Sequence, residues 1–246
     1  MCEKCSIDEL HPTPPSRRSV VMFAASTLGL MLAGTASAQE KKAPPKPQNV
    51  LSPDAALKRL MEGNARYVGG KSQLHDFKHE REALVGGQNP YAAVLSCADS
   101  RIAPEYAFDS ARGDLFVCRV AGNFANDDTV ASMEYGVAVL GVPVILVLGH
   151  DSCGAIDATI ESLKDNEPPP GHIPSLVNAL APAVKASAQQ SGNHLDNAIR
   201  QNVIDNIAKL KSAAPILNAA VDQGKLKIVG GIYRLTTGAV DLIAQG

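Results

Sequence analysis

The sequence predicts a single α/β domain with a mostly parallel central sheet flanked by helices. Short apolar runs at 91–95 and 142–148, and a third at 115–120 interrupted only by Arg119, mark buried strands of the kind parallel sheets require. Helical apolar patterns separate these runs, the alternation that builds strand–helix–strand units. The 246 residues, 45% of them apolar, suffice for one substantial core, and one domain is the expected count once an amino-terminal leader is set aside.

Each element has its own signal. Ser52-Pro53-Asp54 opens the first helix, with Ser52 as N-cap and Pro53 at the first helical position. Ala55, Leu57, Leu60 and Met61 give that helix a partial apolar stripe. The run 91–95 is the first strand and 115–120 the second. A helix over 129–140, a strand over 142–148 and a helix over 153–163 follow. Glu167-Pro168-Pro169-Pro170-Gly171 reads as a loop, after which 175–190 and 196–210 read as helices. The run 225–235 is a strand, and Thr236-Thr237-Gly238 turns it into a short terminal run, 239–243, as a hairpin.

The charge balance excludes one class of partner. A formal net charge of −2 without a long basic run offers no electrostatic footprint for nucleic acid. There is no internal repeat, and no Gly-rich phosphate loop precedes a helix.

The chemistry concentrates in Cys97-Ala98-Asp99-Ser100-Arg101 and His150-Asp151-Ser152-Cys153-Gly154. Each stretch follows a predicted buried strand, so each sits at a strand carboxyl end, where open α/β sheets bind ligands. Cys97, His150 and Cys153 supply two thiolates and an imidazole. Zinc favours that donor set, and three protein ligands leave one position open for chemistry. Two thiolates neutralise the ion and weaken its effect on water. Asp99 is placed to accept a hydrogen bond from a metal-activated water, and Arg101 to hold Asp99 bidentately. Gly154, at a helix start, offers a backbone N–H to an anion.

These residues resemble the beta-class carbonic anhydrases, whose signature is Cys-x-Asp-x-Arg followed some fifty residues later by His-x-x-Cys. Gly87-Gln88-Asn89-Pro90, the segment from Gly113 to Asn123 and Ala131-Ser132-Met133-Glu134-Tyr135 are similar to the same family, so the resemblance covers roughly 50–244. It implies a beta-carbonic-anhydrase-like fold and zinc-dependent, reversible hydration of carbon dioxide to bicarbonate and a proton, with one zinc per subunit. It further implies that Asp99 is both catalytic and, in a closed state, a fourth metal ligand. Gln88 would bond the bound anion; Phe116 and Tyr135 would lie near the small apolar pocket, one of them supplied by a neighbouring subunit of a homodimer or higher even oligomer. Proton export has candidates in His75, His79 and His172. The chain has no tryptophan, whereas the family subset with a regulatory bicarbonate site builds that site with one. A carbon disulfide or carbonyl sulfide hydrolase, or a non-catalytic zinc or bicarbonate binder, would use the same scaffold. Arg234 stands where related sequences often carry an acidic residue, with no evident function.

The amino terminus reads separately. Ser16-Arg17-Arg18-Ser19 precedes an apolar stretch, 20–36, that ends in the small residues Ala36-Ser37-Ala38. This is the pattern of a signal over 1–38 for the twin-arginine translocase, with a periplasmic destination, or a tether there without cleavage. The Lys- and Pro-rich segment 39–49 is a linker, and 50–246 is the catalytic domain. Cys2 and Cys5 precede the arginine pair and are expected to be lost with the signal. Cys118, in an apolar strand, is read as a small buried residue.

Overall fold

The computed structural model describes residues 50–244; the export signal, the Cys2/Cys5 pair and the linker lie outside them. Helix α1 (Pro53–Val68) starts where the sequence places it. Ser52 Oγ accepts from the amide of Ala55 at 3.3 Å, satisfying one of the free amides of the first turn. Strands β1 (Ala92–Ser96), β2 (Leu115–Arg119), β3 (Val144–His150) and β4 (Lys227–Tyr233) pair in parallel, and β5 (Val240–Ala244) runs antiparallel to β4 as the predicted hairpin. Helices α4 (Asp127–Ala138), α5 (Gly154–Asp165), α6 (Ile173–Ser187) and α7 (His194–Ser212) match the predicted helices to within a few residues. Three short helices were not expected: α2 (Phe77–Leu84), α3 (Pro104–Ala107) and α8 (Leu217–Asp222).

The unbroken apolar strands have a direct cause. All residues of β1 and β3 are buried, because successive side chains enter two different cores. Ala93, Leu95, Ile145 and Val147 point into one, with α5–α8 elements such as Ile156, Leu180, Ile199 and Val203. Ala92, Val94, Val144, Leu146 and Leu148 point into the other, with Ala56 and Leu60 of α1. Each fully buried Leu or Ile contributes about 1.5–3 kcal/mol.

The sheet order is β2-β1-β3-β4-β5. The chain therefore steps from β1 outward to β2 and returns across β1 to β3, which makes the β1/β3 boundary a topological switch point. Loops leaving the carboxyl ends of these two strands diverge and open a crevice. Both chemical stretches lie at those carboxyl ends.

Helix α1 is tied to the rest by Asn64, which is buried. Its Nδ2 donates to Ala107 O at 2.9 Å and Gly238 O at 2.8 Å, and its Oδ1 accepts from the Val240 amide at 2.9 Å. One side chain thus joins α1, α3 and the β4–β5 hairpin. The preceding residue must be glycine: a Cβ on Gly63 would stand 1.9 Å from the Phe108 carbonyl oxygen. Gly63→Ala is expected to destabilise the fold by about 2–4 kcal/mol. Chemical denaturation would show this as a lowered midpoint, and an unchanged midpoint would contradict the close approach.

Candidate active site

Cys97 lies one residue beyond β1, His150 is the last residue of β3, and Cys153 precedes the first turn of α5. All three are buried, and their ligand atoms lie within 4.8 Å of one another. The turn that connects His150 to Cys153 passes through Ser152 in the left-handed region (φ 52°), which brings the two residues onto one side.

The backbone around Cys97 is arranged for a thiolate. Gly122, at φ +84°, donates its amide to Cys97 Sγ at 3.3 Å, an approach that a side chain on residue 122 would obstruct through Leu180. The Cys97 pKa is held far below the usual thiol range, first by a hydrogen bond from Cys153 and then, against the opposing effect of burial, by His150 and the Gly122 amide. The same Cys97 contact, reinforced by burial, pushes the Cys153 thiol up. The site thus favours negative charge on Cys97, and a divalent cation seated between the sulfurs would favour it on Cys153 as well.

His150 is fully buried. Its Nδ1 lies 2.8 Å from the Asp151 carbonyl oxygen, whereas its Nε2 is buried with no hydrogen-bond partner among the described residues. An orphaned imidazole nitrogen facing two sulfurs is costly unless something binds it. Tetrahedral Cys₂His ligation of zinc fits these donors.

Asp99 stands at the edge of this group, with Oδ2 3.9 Å from His150 Nε2. Arg101 holds it by three contacts: its amide and Nε reach Oδ1 at 2.9 Å each, and Nη2 reaches Oδ2 at 2.6 Å. The Arg101 hydrogen bonds keep the Asp99 carboxyl well below the ordinary carboxylate range, outweighing partial burial. Arg101 Nη2 also reaches the Ser152 carbonyl at 3.3 Å and so links the two loops. The arrangement is the Arg101-held one, and Asp99 is not among the mutually close donor atoms.

The other predicted residues separate. Phe116 packs against the core that contains Cys97 and Cys153, and its ring lies 6.2 Å from that of Tyr135. Gln88 and Tyr135 line a cleft of about 570 Å³ with Leu84, Val85, Val139 and Leu140; none of Cys97, Asp99, Arg101, His150 or Cys153 borders it. Gly154 is the exposed first residue of α5. His75 contacts Glu80 at 3.2 Å and lies 3.9 Å from Asp109, and His79 pairs with Asp76, so both are engaged away from the metal donors. A cleft of about 610 Å³ around Tyr67, His75, Phe77 and Tyr106 contains none of the metal-ligand candidates.

Arg119 was missed. From the end of β2 it donates to three carbonyls of the loop after β1, those of Cys97 (3.0 Å), Asp99 (2.7 Å) and Ile102 (2.8 Å). The signal was available, since a lone arginine ends an otherwise apolar strand. Arg234, which had no account, bonds Asp241 across the hairpin at 2.8 Å.

Comparison with known proteins decides the family. A carbonic anhydrase family model matches residues 92–240. Carbonic anhydrase 2 of Mycobacterium tuberculosis (strain H37Rv) is 39% identical over 188 residues, covering 76% of this chain and 91% of the relative. The chain belongs to the beta-class carbonic anhydrases. The carbonic anhydrase of Mycolicibacterium smegmatis is 38% identical over 193 residues, covering 78% of this chain and 93% of that one. Among solved structures, the Coccomyxa beta-carbonic anhydrase in complex with acetazolamide aligns with a TM-score of 0.59 at 27% identity, over 76% of this chain and 86% of that chain. The beta-carbonic anhydrase CcaA gives the same score and identity over 77% and 92%. The family's reaction, reversible hydration of carbon dioxide, is the activity of this chain.

Proposed function

We propose that Cys97, His150 and Cys153 hold one zinc ion per subunit and that Asp99, fixed by Arg101, orients the water that attacks carbon dioxide. The observation that carries this is the buried, unpartnered Nε2 of His150 facing two buried sulfurs. Zinc, when bound, supplies the Lewis acidity that brings the pKa of water from about 15.7 toward neutrality. Asp99 accepts the water's hydrogen bond, and the Arg101 contacts keep it ionised and hence an acceptor. That contact directs the water's reactive lone pair away from the carboxylate and toward carbon dioxide. The Gly154 amide, at the positive end of α5, holds an oxygen of bicarbonate. Stopped-flow hydration assays on the mature protein with zinc counted test this reading: fast turnover at one zinc per subunit supports it. Zinc-replete protein without hydration would sink it.

The separation of Gln88 and Tyr135 from the metal donors leads to an even homo-oligomer in which their cleft meets the metal loops of a partner subunit. The exposure of Tyr135 (48%) and Val139 (63%) beside it supports this. Mixing inactive Cys97→Ser subunits with Gln88→Ala subunits is expected to restore part of the activity in hybrid oligomers. A monomer in sedimentation, or no recovery in verified hybrids, would count against it.

The sequence pattern at 16–38 supports export by the twin-arginine route with removal after Ala38, placing the enzyme in the periplasm. Arg17→Lys with Arg18→Lys should leave unprocessed protein in the cytoplasm; processed periplasmic protein from that variant would exclude the route.

A further inference from the structure

We propose that Asp151 is a positioning residue for the metal site: its backbone carbonyl selects the His150 tautomer, and its carboxylate locks that carbonyl to the end of β4. The inference rests on the zinc reading of the site.

A neutral imidazole carries its proton on one nitrogen and a lone pair on the other. The Asp151 carbonyl, 2.8 Å from Nδ1, can only accept, so Nδ1 carries the proton and Nε2 presents its lone pair toward Cys97 and Cys153. A partner on the second ring nitrogen is what orients a histidine ligand and tunes its basicity. Its value depends on how firmly that carbonyl is held, and here the chain is about to enter the left-handed turn at Ser152 (φ 52°).

Asp151 is anchored twice by the neighbouring strand. Its amide donates to the Tyr233 carbonyl at 3.2 Å, which extends the β3–β4 ladder by one step past the His150–Tyr233 pair. Its Oδ1 accepts from the Leu235 amide at 3.0 Å. These contacts straddle Arg234, whose own amide turns away to the Ala239 carbonyl at 2.8 Å as the hairpin begins. The side chain therefore takes over the strand's role where the ladder ends, supplying the acceptor that the Leu235 amide needs. From the other side, Arg101 reaches the Ser152 carbonyl at 3.3 Å. The turn bearing His150 and Cys153 is held between β4, through Asp151, and the Asp99 loop, through Arg101.

What matters in this arrangement is an acceptor oxygen, not a charge, and two substitutions separate them. Asp151→Asn keeps an oxygen for Leu235, whereas Asp151→Ala removes it. Zinc affinity is measured on the full mature chain by competition with a chromophoric chelator, below the thermal transition of each variant. Asp151→Ala is expected to weaken zinc by about 10–100-fold, with Asp151→Asn close to wild type. Nitrogen-15 NMR of the histidines should show the Nδ1–H tautomer of His150 in wild type and a loss of that single form in Asp151→Ala. Wild-type zinc affinity in Asp151→Ala overturns the proposal, and so does an equal loss in Asp151→Asn. Should Asp151→Ala fail to fold, hydrogen exchange in the wild-type protein decides instead. The Leu235 amide should exchange faster once zinc is stripped, and an unchanged rate overturns the coupling. Wild-type protein that binds no stoichiometric zinc is a different failure, since it removes the metal assignment itself.

Discussion

Replacing His150 by alanine is expected to remove zinc and carbon dioxide hydration together, with a loss of activity on the order of 10⁴-fold as the pKa of water reverts from about 7 toward 15.7. His150 contributes the one nitrogen in a cluster whose other donors are the sulfurs of Cys97 and Cys153, and that nitrogen makes no hydrogen bond among the described residues. Without it two sulfurs remain, one of them a thiol that burial and its neighbour Cys97 hold protonated, so the cation loses a ligand and must displace that proton with less to gain. Added imidazole can enter the space left by the ring and is expected to restore part of both zinc binding and turnover. Metal content and stopped-flow hydration, measured on protein that circular dichroism shows to be folded, check the outcome. A folded His150→Ala protein holding one zinc per subunit and turning over normally would remove His150 from the ligand set.

What could be read from the sequence follows physical rules. Strands β1 and β3 were legible because each faces two cores, which leaves no polar position to break the apolar run. The hairpin was legible because Thr236-Thr237-Gly238 is a turn between two short runs. Helix α2 was invisible because it buries no residue, and α3 and α8 are too short, at 4 and 6 residues, for a periodicity to emerge. In the site, Cys97, His150, Cys153, Asp99 and Arg101 announce themselves by residue type and by their position after strands. Arg119 shows only as a charge in an apolar strand, and Asp151 not at all; the roles of both are hidden because their partners are backbone carbonyls and amides brought close only by folding. The distance between the Gln88–Tyr135 cleft and the metal donors is likewise a tertiary property, to which local spacing is blind. Cys118 is partly buried and its thiol is pushed up chiefly by burial, in keeping with a packing role.

Asp99→Asn should give the opposite separation from His150→Ala: zinc retained and hydration lost. The carboxylate presents oxygens to Arg101 on both sides, Oδ1 to the amide and Nε and Oδ2 to Nη2. An asparagine has one oxygen to offer, so its NH₂ group must face either Nη2 or the Arg101 amide and Nε, donor against donor in both orientations. Either choice damages the site. With the NH₂ in the place of Oδ1, the fork opens and the side chain loses its fixed direction; with it in the place of Oδ2, the oxygen on the His150 side, the side chain also donates where an acceptor is required. A lost and misdirected proton acceptor is worth about 10²–10⁴-fold in turnover. The metal donors are untouched, because Asp99 is not among the close-set ligand atoms. Arg101→Gln supplies the control: it leaves the carboxylate in place but unclamped, so its loss should be smaller than that of Asp99→Asn and their double variant should be no worse than Asp99→Asn alone. Hydration rates and zinc content of the three proteins test this. Full activity in a zinc-replete Asp99→Asn enzyme would take Asp99 out of the mechanism, and additive losses in the double variant would mean that Arg101 acts on the reaction independently of Asp99.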